Sequence, residues 1–172
     1  DEVLERVHRL VENAKEVALL TGPDGAGKTT LLFRIQSDTP EHWLTCRVDA
    51  NPMMHPDQLF TRLVRCLGIA EEGEEPSATV TAAFAEFRTQ GVLPVVMVDD
   101  AEQLPLSTMV ALLRLHESRA AGKSICSLLF LARPDIQSAL STEQIHAMGT
   151  DRFERIELPR LGLEEVPQYL RH

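Results

Sequence analysis

Apolar residues recur along this chain in two alternating rhythms. Val3, Leu4, Val7, Leu10 and Val11 fall three and four apart, which predicts a helix over residues 3–14 with one apolar face. Residues 16–21 (EVALLT) form a short apolar run closed by Gly22, the pattern of a strand buried on both faces. A helix over 28–37 follows, then a strand over 44–49 (LTCRVD). Next comes a helix over 56–68, with Leu59, Phe60, Leu63, Val64 and Leu67 on one side and Gly68 at its end. Residues 71–76 (EEGEEP) read as a solvated loop. Beyond it the pattern predicts a helix over 77–90 stopped by Gly91 and a strand over 94–98 (PVVMV). A helix over 105–121 comes next, with Leu106, Met109, Val110 and Leu113 inward and Gly122 at its end. A strand over 125–132 (ICSLLFLA), a short helix over 135–140, a strand over 154–158 and the start of a helix over 163–171 complete the chain. Strands alternating with helices, without internal repeats, predict an α/β fold with a largely parallel sheet in one domain of 172 residues.

Chemistry enters at the end of the first strand. Gly22-Pro23-Asp24-Gly25-Ala26-Gly27-Lys28-Thr29 fits G-x-x-x-x-G-K-[ST], the Walker A motif. Its glycines let the backbone curl so that successive N–H groups face phosphate oxygens. The helix that follows starts at the phosphates and adds its positive dipole end, which brings Thr30 to the same cradle. Lys28 supplies a point charge for the β- and γ-phosphates, and the Thr29 hydroxyl a ligand for Mg²⁺. The context agrees, because an apolar strand enters the motif and a helix leaves it.

Such a site also needs a carboxylate for the metal and a group to orient the attacking water. Val95-Val96-Met97-Val98-Asp99-Asp100 ends a buried strand with both, a Walker B pattern. Asp99 is the expected metal carboxylate and Asp100 the expected catalytic base. Asp100 is one methylene shorter than a glutamate there would be, and Glu102 is the fallback.

Composition narrows the partners. Hydrophobic residues make up 44% and charged residues 25%, an ordinary globular balance. The net charge of −9 disfavours broad electrostatic binding to nucleic acid or anionic lipid. Cys46, Cys66 and Cys126 lie far apart without a CxxC pair, so they read as small core residues in a reducing compartment. The six histidines show no metal-ligand spacing. No stretch reaches the roughly 18 apolar residues of a membrane span, and Asp1 to Arg6 do not read as a signal peptide. The missing initiator Met and the helical tail lead to the expectation of an excised piece with more protein following.

The order of motifs is specific. A strand with GPDGAGKTT, one with VDANP, one with VVMVDDAEQL and one with LLFLARPDI precede DRFERIELPRLGLEEVPQYL. This arrangement resembles the AAA+ ATPase domain of the ExeA/GspA, MshM and DamX group of bacterial proteins, over nearly the whole chain. The DDA form of Walker B leans towards the DamX-like members. The resemblance implies a RecA-like P-loop core, a five-stranded parallel sheet in the order 5-1-4-3-2 flanked by helices, with the helical lid absent from this chain. It implies ATP and Mg²⁺ as ligands, a homo-oligomer, an envelope protein partner and a cytoplasmic location. Membrane contact would come only through regions outside these residues. It also implies a polar sensor at the end of the fourth strand. Arg133 stands there, where relatives often carry Gln, so it is a sensor, a charge near phosphate or a surface arginine. Arg152, with Arg155 second, is the candidate arginine acting on a neighbouring subunit. The segment from Val11 to Val17 is assigned to the adenine.

The expected reaction is in-line attack of water on the γ-phosphorus, driving conformational change or assembly in secretion, pilus assembly or cell division. The rivals are a nucleotide-dependent switch with little turnover and a DNA-transposition regulator of a related lineage. The acidic charge argues against the latter, and no direct nucleic-acid contact is expected.

Overall fold

The computed structural model describes residues 1–70, 75–149 and 152–160. The expected helix 163–171 lies outside them. The first helix, α1 (Glu2–Asn13), opens on Asp1, whose carboxylate accepts from the Val3 N–H at 3.1 Å. Strand β1 (Val17–Thr21), buried at every position, runs into the glycine-rich loop and α2 (Lys28–Ser37). Strand β2 (Trp43–Asp49) leads to α3 (Pro56–Leu67), where Pro56 fixes the first turn and the Gln58 side chain accepts from the His55 N–H at 3.1 Å. Helix α4 (Pro76–Thr89), β3 (Leu93–Asp99) and a 3-10 turn (Ala101–Gln103) precede α5 (Leu106–Glu117).

Helix α5 is shorter than the apolar pattern predicts. Residues beyond Glu117 instead form a small antiparallel ribbon of β4 (Arg119–Ala120) and β5 (Lys123–Ser124). Ala121 and Gly122 both take positive φ, 51° and 76°, the backbone of a two-residue hairpin turn. Gly122 is therefore a turn residue rather than a helix stop. Strand β6 (Ser127–Ala132) returns to the sheet. It is followed by a 3-10 turn (Pro134–Ile136), two single-turn helices, α6 (Gln137–Leu140) and α7 (Glu143–His146), and β7 (Phe153–Glu157).

The five long strands make one parallel sheet in the order β2-β3-β6-β1-β7. The labels differ from the expected 5-1-4-3-2 because the ribbon strands take two numbers. Within the large sheet itself the sequence of strands is the same. Period-two alternation splits each strand between two cores. Val95, Met97, Leu129 and Leu131 meet Val7, Val11, Leu32 and Ile35 of α1 and α2 on one face. Val96, Val98, Leu128 and Phe130 meet Leu59, Leu63, Phe84, Met109 and Leu113 of α3, α4 and α5 on the other. Among the described residues no helix is long and apolar enough to cross a membrane.

The cysteines depart from expectation. Cys46 on β2 and Cys66 on α3 form a disulfide, with Cα atoms 6.0 Å apart. Only Cys126 is a buried core thiol, and burial pushes its pKa up. The pairing escaped the sequence reading because the packing of α3 on β2, not spacing, brings the two together.

Because the strands are parallel, Thr21, Asp49, Asp99 and Ala132 all end at one edge of the sheet. Asp49 lies in register with Asp99 and Thr21 with Ala132. That edge is where an open α/β sheet presents its ligand-binding crevice.

Candidate functional site

Two glycines of the loop take left-handed backbone, Gly25 at φ 79° and Gly27 at φ 85°, a region that favours residues without a side chain. Gly22 is required for a different reason. A Cβ there would stand 2.9 Å from Ala26 Cβ and 3.0 Å from the Leu158 carbonyl oxygen. The Gly22 N–H is tied to the Ala132 carbonyl at 3.1 Å, which anchors the loop to β6. Helix α2 starts at Lys28 without a side-chain cap, so the N–H groups of Lys28, Thr29 and Thr30 face out of its first turn. Curled backbone and an uncapped helix start make an anion cradle from Gly22 to Thr30.

Lys28 is buried, and its Nζ donates to the carbonyls of Gly22 at 2.7 Å and Pro23 at 2.9 Å. An ammonium held on its own loop's carbonyls sits within the cradle and has carbonyl partners that phosphate oxygens can replace. The Thr29 hydroxyl donates to Asp99 Oδ2 at 3.1 Å, joining the loop to the end of β3. Asp99 is 4% exposed, and its Oδ1 accepts the Asp100 N–H at 3.0 Å. A hydroxyl and a carboxylate in contact, beside a phosphate cradle, fit Mg²⁺, which is usually held by one or two protein oxygens, waters and phosphate. Among the described residues no cluster of three or more His, Cys, Asp or Glu side chains could hold a metal by itself.

The two candidate bases differ in setting. Asp100 is exposed and takes a left-handed φ of 53° as the chain turns from β3 into the 3-10 turn. Glu102 is withdrawn: its Oε2 accepts the Arg133 N–H at 3.2 Å, and its Oε1 lies 3.4 Å from Arg133 Nε. The Arg133 guanidinium also reaches Asp135 at 3.2 Å and Asp24 of the loop at 3.9 Å. The Asp135 carboxylate first, then Glu102 and Asp24, hold its proton more firmly than usual. Arg133 thus stands at the rim of the cradle.

Matching against protein families gives an AAA domain over residues 11–140. This chain belongs to the AAA domain family. No curated protein matches it in sequence. The AAA domain is similar in fold to the ORC2 protein of Aeropyrum pernix in its ADP form, at TM-score 0.74 and 19% identity, over 99% of this chain and 50% of that one. A Walker-type ATPase of Pyrococcus abyssi matches at TM-score 0.64 and 15% identity, over 99% and 56%. Drosophila ORC bound to DNA matches at TM-score 0.72 and 16% identity, over 98% and 45%. The chain spans about half the length of these solved structures.

The remaining candidates of the AAA domain lie away from the cradle. Arg152 binds Glu117 at the end of α5, at 2.6 Å, and its buried Nη1 has no hydrogen-bond partner among the described residues. It precedes Phe153, which is in register with Val17, whereas the cradle follows Thr21. Four residues of strand, about 13 Å, separate those levels, so Arg152 acts on another copy or not at all. Arg155 donates to Gln137 Oε1 at 2.5 Å. Of the segment assigned to the adenine, Val11 and Val17 are wholly buried core residues, and Val17 is at the end of β1 remote from the cradle.

Sequence reasoning missed Arg47. From β2 it reaches Asp99 Oδ2 at 3.5 Å and donates to Asp49 Oδ1 at 3.0 Å. Arg47 is the one cation of β2, but that strand also carries Thr45 and Asp49, so its pattern gave no signal.

Proposed function

We propose that this AAA domain binds ATP with Mg²⁺ and hydrolyses the β–γ phosphoanhydride. The Thr29–Asp99 hydrogen bond carries the reading, because it joins the phosphate cradle to the Walker B carboxylate as a metal-nucleotide site requires. Lys28 exchanges the Gly22 and Pro23 carbonyls for β- and γ-phosphate oxygens, and the N–H groups of the loop and of α2 hold the rest of the triphosphate. Thr29 and Asp99 would hold Mg²⁺, which would neutralise phosphate charge. Asp100, with its carboxylate exposed, orients the attacking water and takes its proton. Glu102 is the second candidate, but Arg133 already engages it.

The work done with that energy is assembly or conformational change in a bacterial envelope system, whether secretion, pilus assembly or cell division. It is carried out from the cytoplasm by a homo-oligomer acting on an envelope protein. The motif order from GPDGAGKTT to ARPDI supports this role. Some fold neighbours bind DNA by their own descriptions, Drosophila ORC among them. A net charge of −9 favours a protein partner over a broad nucleic-acid face. A second reading, a nucleotide-held switch with little turnover, is favoured by the short Asp100 and the Arg133-bound Glu102.

The test is ATP turnover per chain over a rising protein concentration, with Lys28→Ala as the blank and Asp100→Asn and Glu102→Gln alongside. Hydrolysis predicts activity above the blank and a loss of about a hundredfold in Asp100→Asn, with Glu102→Gln affected less. Activity per chain that climbs with concentration supports a site completed by another copy, and Arg152→Ala should then abolish the climb. ATP binding with wild-type turnover at the blank level would favour the switch.

A further inference from the structure

Both oxygens of Asp99 are engaged in this structure. Oδ1 takes the Asp100 N–H, and Oδ2 takes the Thr29 hydroxyl at 3.1 Å with the Arg47 guanidinium 3.5 Å away. The oxygen that meets Thr29 is the one a shared metal would use, and a fixed positive charge is already beside it. That charge has a second anchorage. Arg47 Nε donates to Asp49 Oδ1 at 3.0 Å, and its Cζ lies 4.8 Å from the centroid of the Phe33 ring on α2. Phe33 is 55% exposed, so its ring serves the guanidinium rather than the core. Asp49 and Asp99 are in register on adjacent strands, which puts two carboxylates within reach of one side chain. A guanidinium on an aromatic face keeps favourable contact while shifting between such partners.

We infer that Arg47 is a resident counter-cation of the metal site, competing with Mg²⁺ for Asp99 and withdrawing towards Asp49 and Phe33 when the metal binds. The inference rests on the Mg²⁺–nucleotide reading above. Without metal, Arg47 neutralises the nearly buried Asp99. With metal, two cations share one carboxylate, and their repulsion lowers metal affinity. The site then takes Mg²⁺ when nucleotide arrives to offset the charge, rather than filling beforehand. Asp49 decides how readily the guanidinium leaves.

The experiment measures equilibrium binding of a fluorescent ATP analogue in EDTA and across a Mn²⁺ series, reading the half-saturating Mn²⁺ and the ratio of affinities with and without metal. Arg47→Gln should lower half-saturating Mn²⁺ by about threefold to tenfold and raise the ratio. Arg47→Lys, which keeps the charge, should stay nearer wild type. Asp49→Asn, at an exposed position, should move the other way, because it leaves Asp99 as the guanidinium's remaining carboxylate partner. If Arg47→Gln leaves half-saturating Mn²⁺ unchanged or raises it, Arg47 holds Asp99 in place and the competition is refuted. If Asp49→Asn also lowers it, the two-anchor account fails. Failure of the wild type to bind the analogue under any condition would remove the nucleotide reading itself, and this inference with it.

Discussion

His116 shows how a single side chain ties distant parts of this chain together. It is buried on α5, where its Nε2 lies 3.0 Å from the Ala14 carbonyl, just past the end of α1. Burial lowers its pKa from 6.5 to about 4, against the raising effect of that carbonyl, with Arg152 and Arg119 adding to the fall. The folded protein therefore holds a neutral ring, which donates from Nε2, while the unfolded chain protonates below pH 6.5. Between pH 6.5 and about 4 the unfolded state binds the extra proton, so stability declines as pH falls through that window. It is unaffected by this group above it. The expected loss is up to about 3 kcal/mol. Denaturant melts at pH 7 and pH 4.5 check this, and His116→Gln should reduce the difference. At this scale the sequence was legible where chemistry is local. Gly22 to Thr29 is one contiguous motif, from which its roles were proposed without coordinates. Arg47 and Asp99 are 52 positions apart, and Asp24 meets Arg133 only through the fold. No local pattern announces such contacts.

Among elements, the strands were the more readable class. A parallel strand buried on both faces is a nearly continuous apolar run, and EVALLT, PVVMV and ICSLLFLA each became one. Helix ends were less readable. The end of α5 was masked because Gly122 serves equally as a helix stop and as the second residue of a hairpin turn. The local pattern does not distinguish them until Ala121 is seen at positive φ. The β2–α3 unit holds the other surprise, the Cys46–Cys66 disulfide that closes a loop of 20 residues. Loop-closure entropy for that length corresponds to about 3 kcal/mol. Cys66→Ser, at an exposed position, should lower unfolding stability by about that amount. Reductant should do the same to the wild type and nothing to the variant, as denaturant titration would show. Equal stability with and without reductant would mean the bridge contributes nothing.

At the scale of the whole molecule, the parallel sheet brings every part of the proposed site to one edge. The ends of β1, β3 and β6 present Gly22 to Lys28, Asp99 and Arg133 together, and the end of β2 adds Asp49, just after Arg47. The motif order anticipated this convergence because Walker A and Walker B each follow a buried strand. The other end of the sheet carries Arg152 and His116, too far from the cradle to join its chemistry within one chain. Two ends of the sheet thus differ: one gathers the proposed phosphate and metal groups, and the other carries an arginine spent on Glu117 unless a second copy claims it. The central claim is that the first edge holds ATP through Lys28. Calorimetric titration of ATP with Mg²⁺ into wild type and Lys28→Ala tests it most directly. One site per chain is expected in the wild type, and at least about a tenfold weaker affinity in the variant. Absence of binding in the wild type, or equal affinity in both proteins, would contradict it.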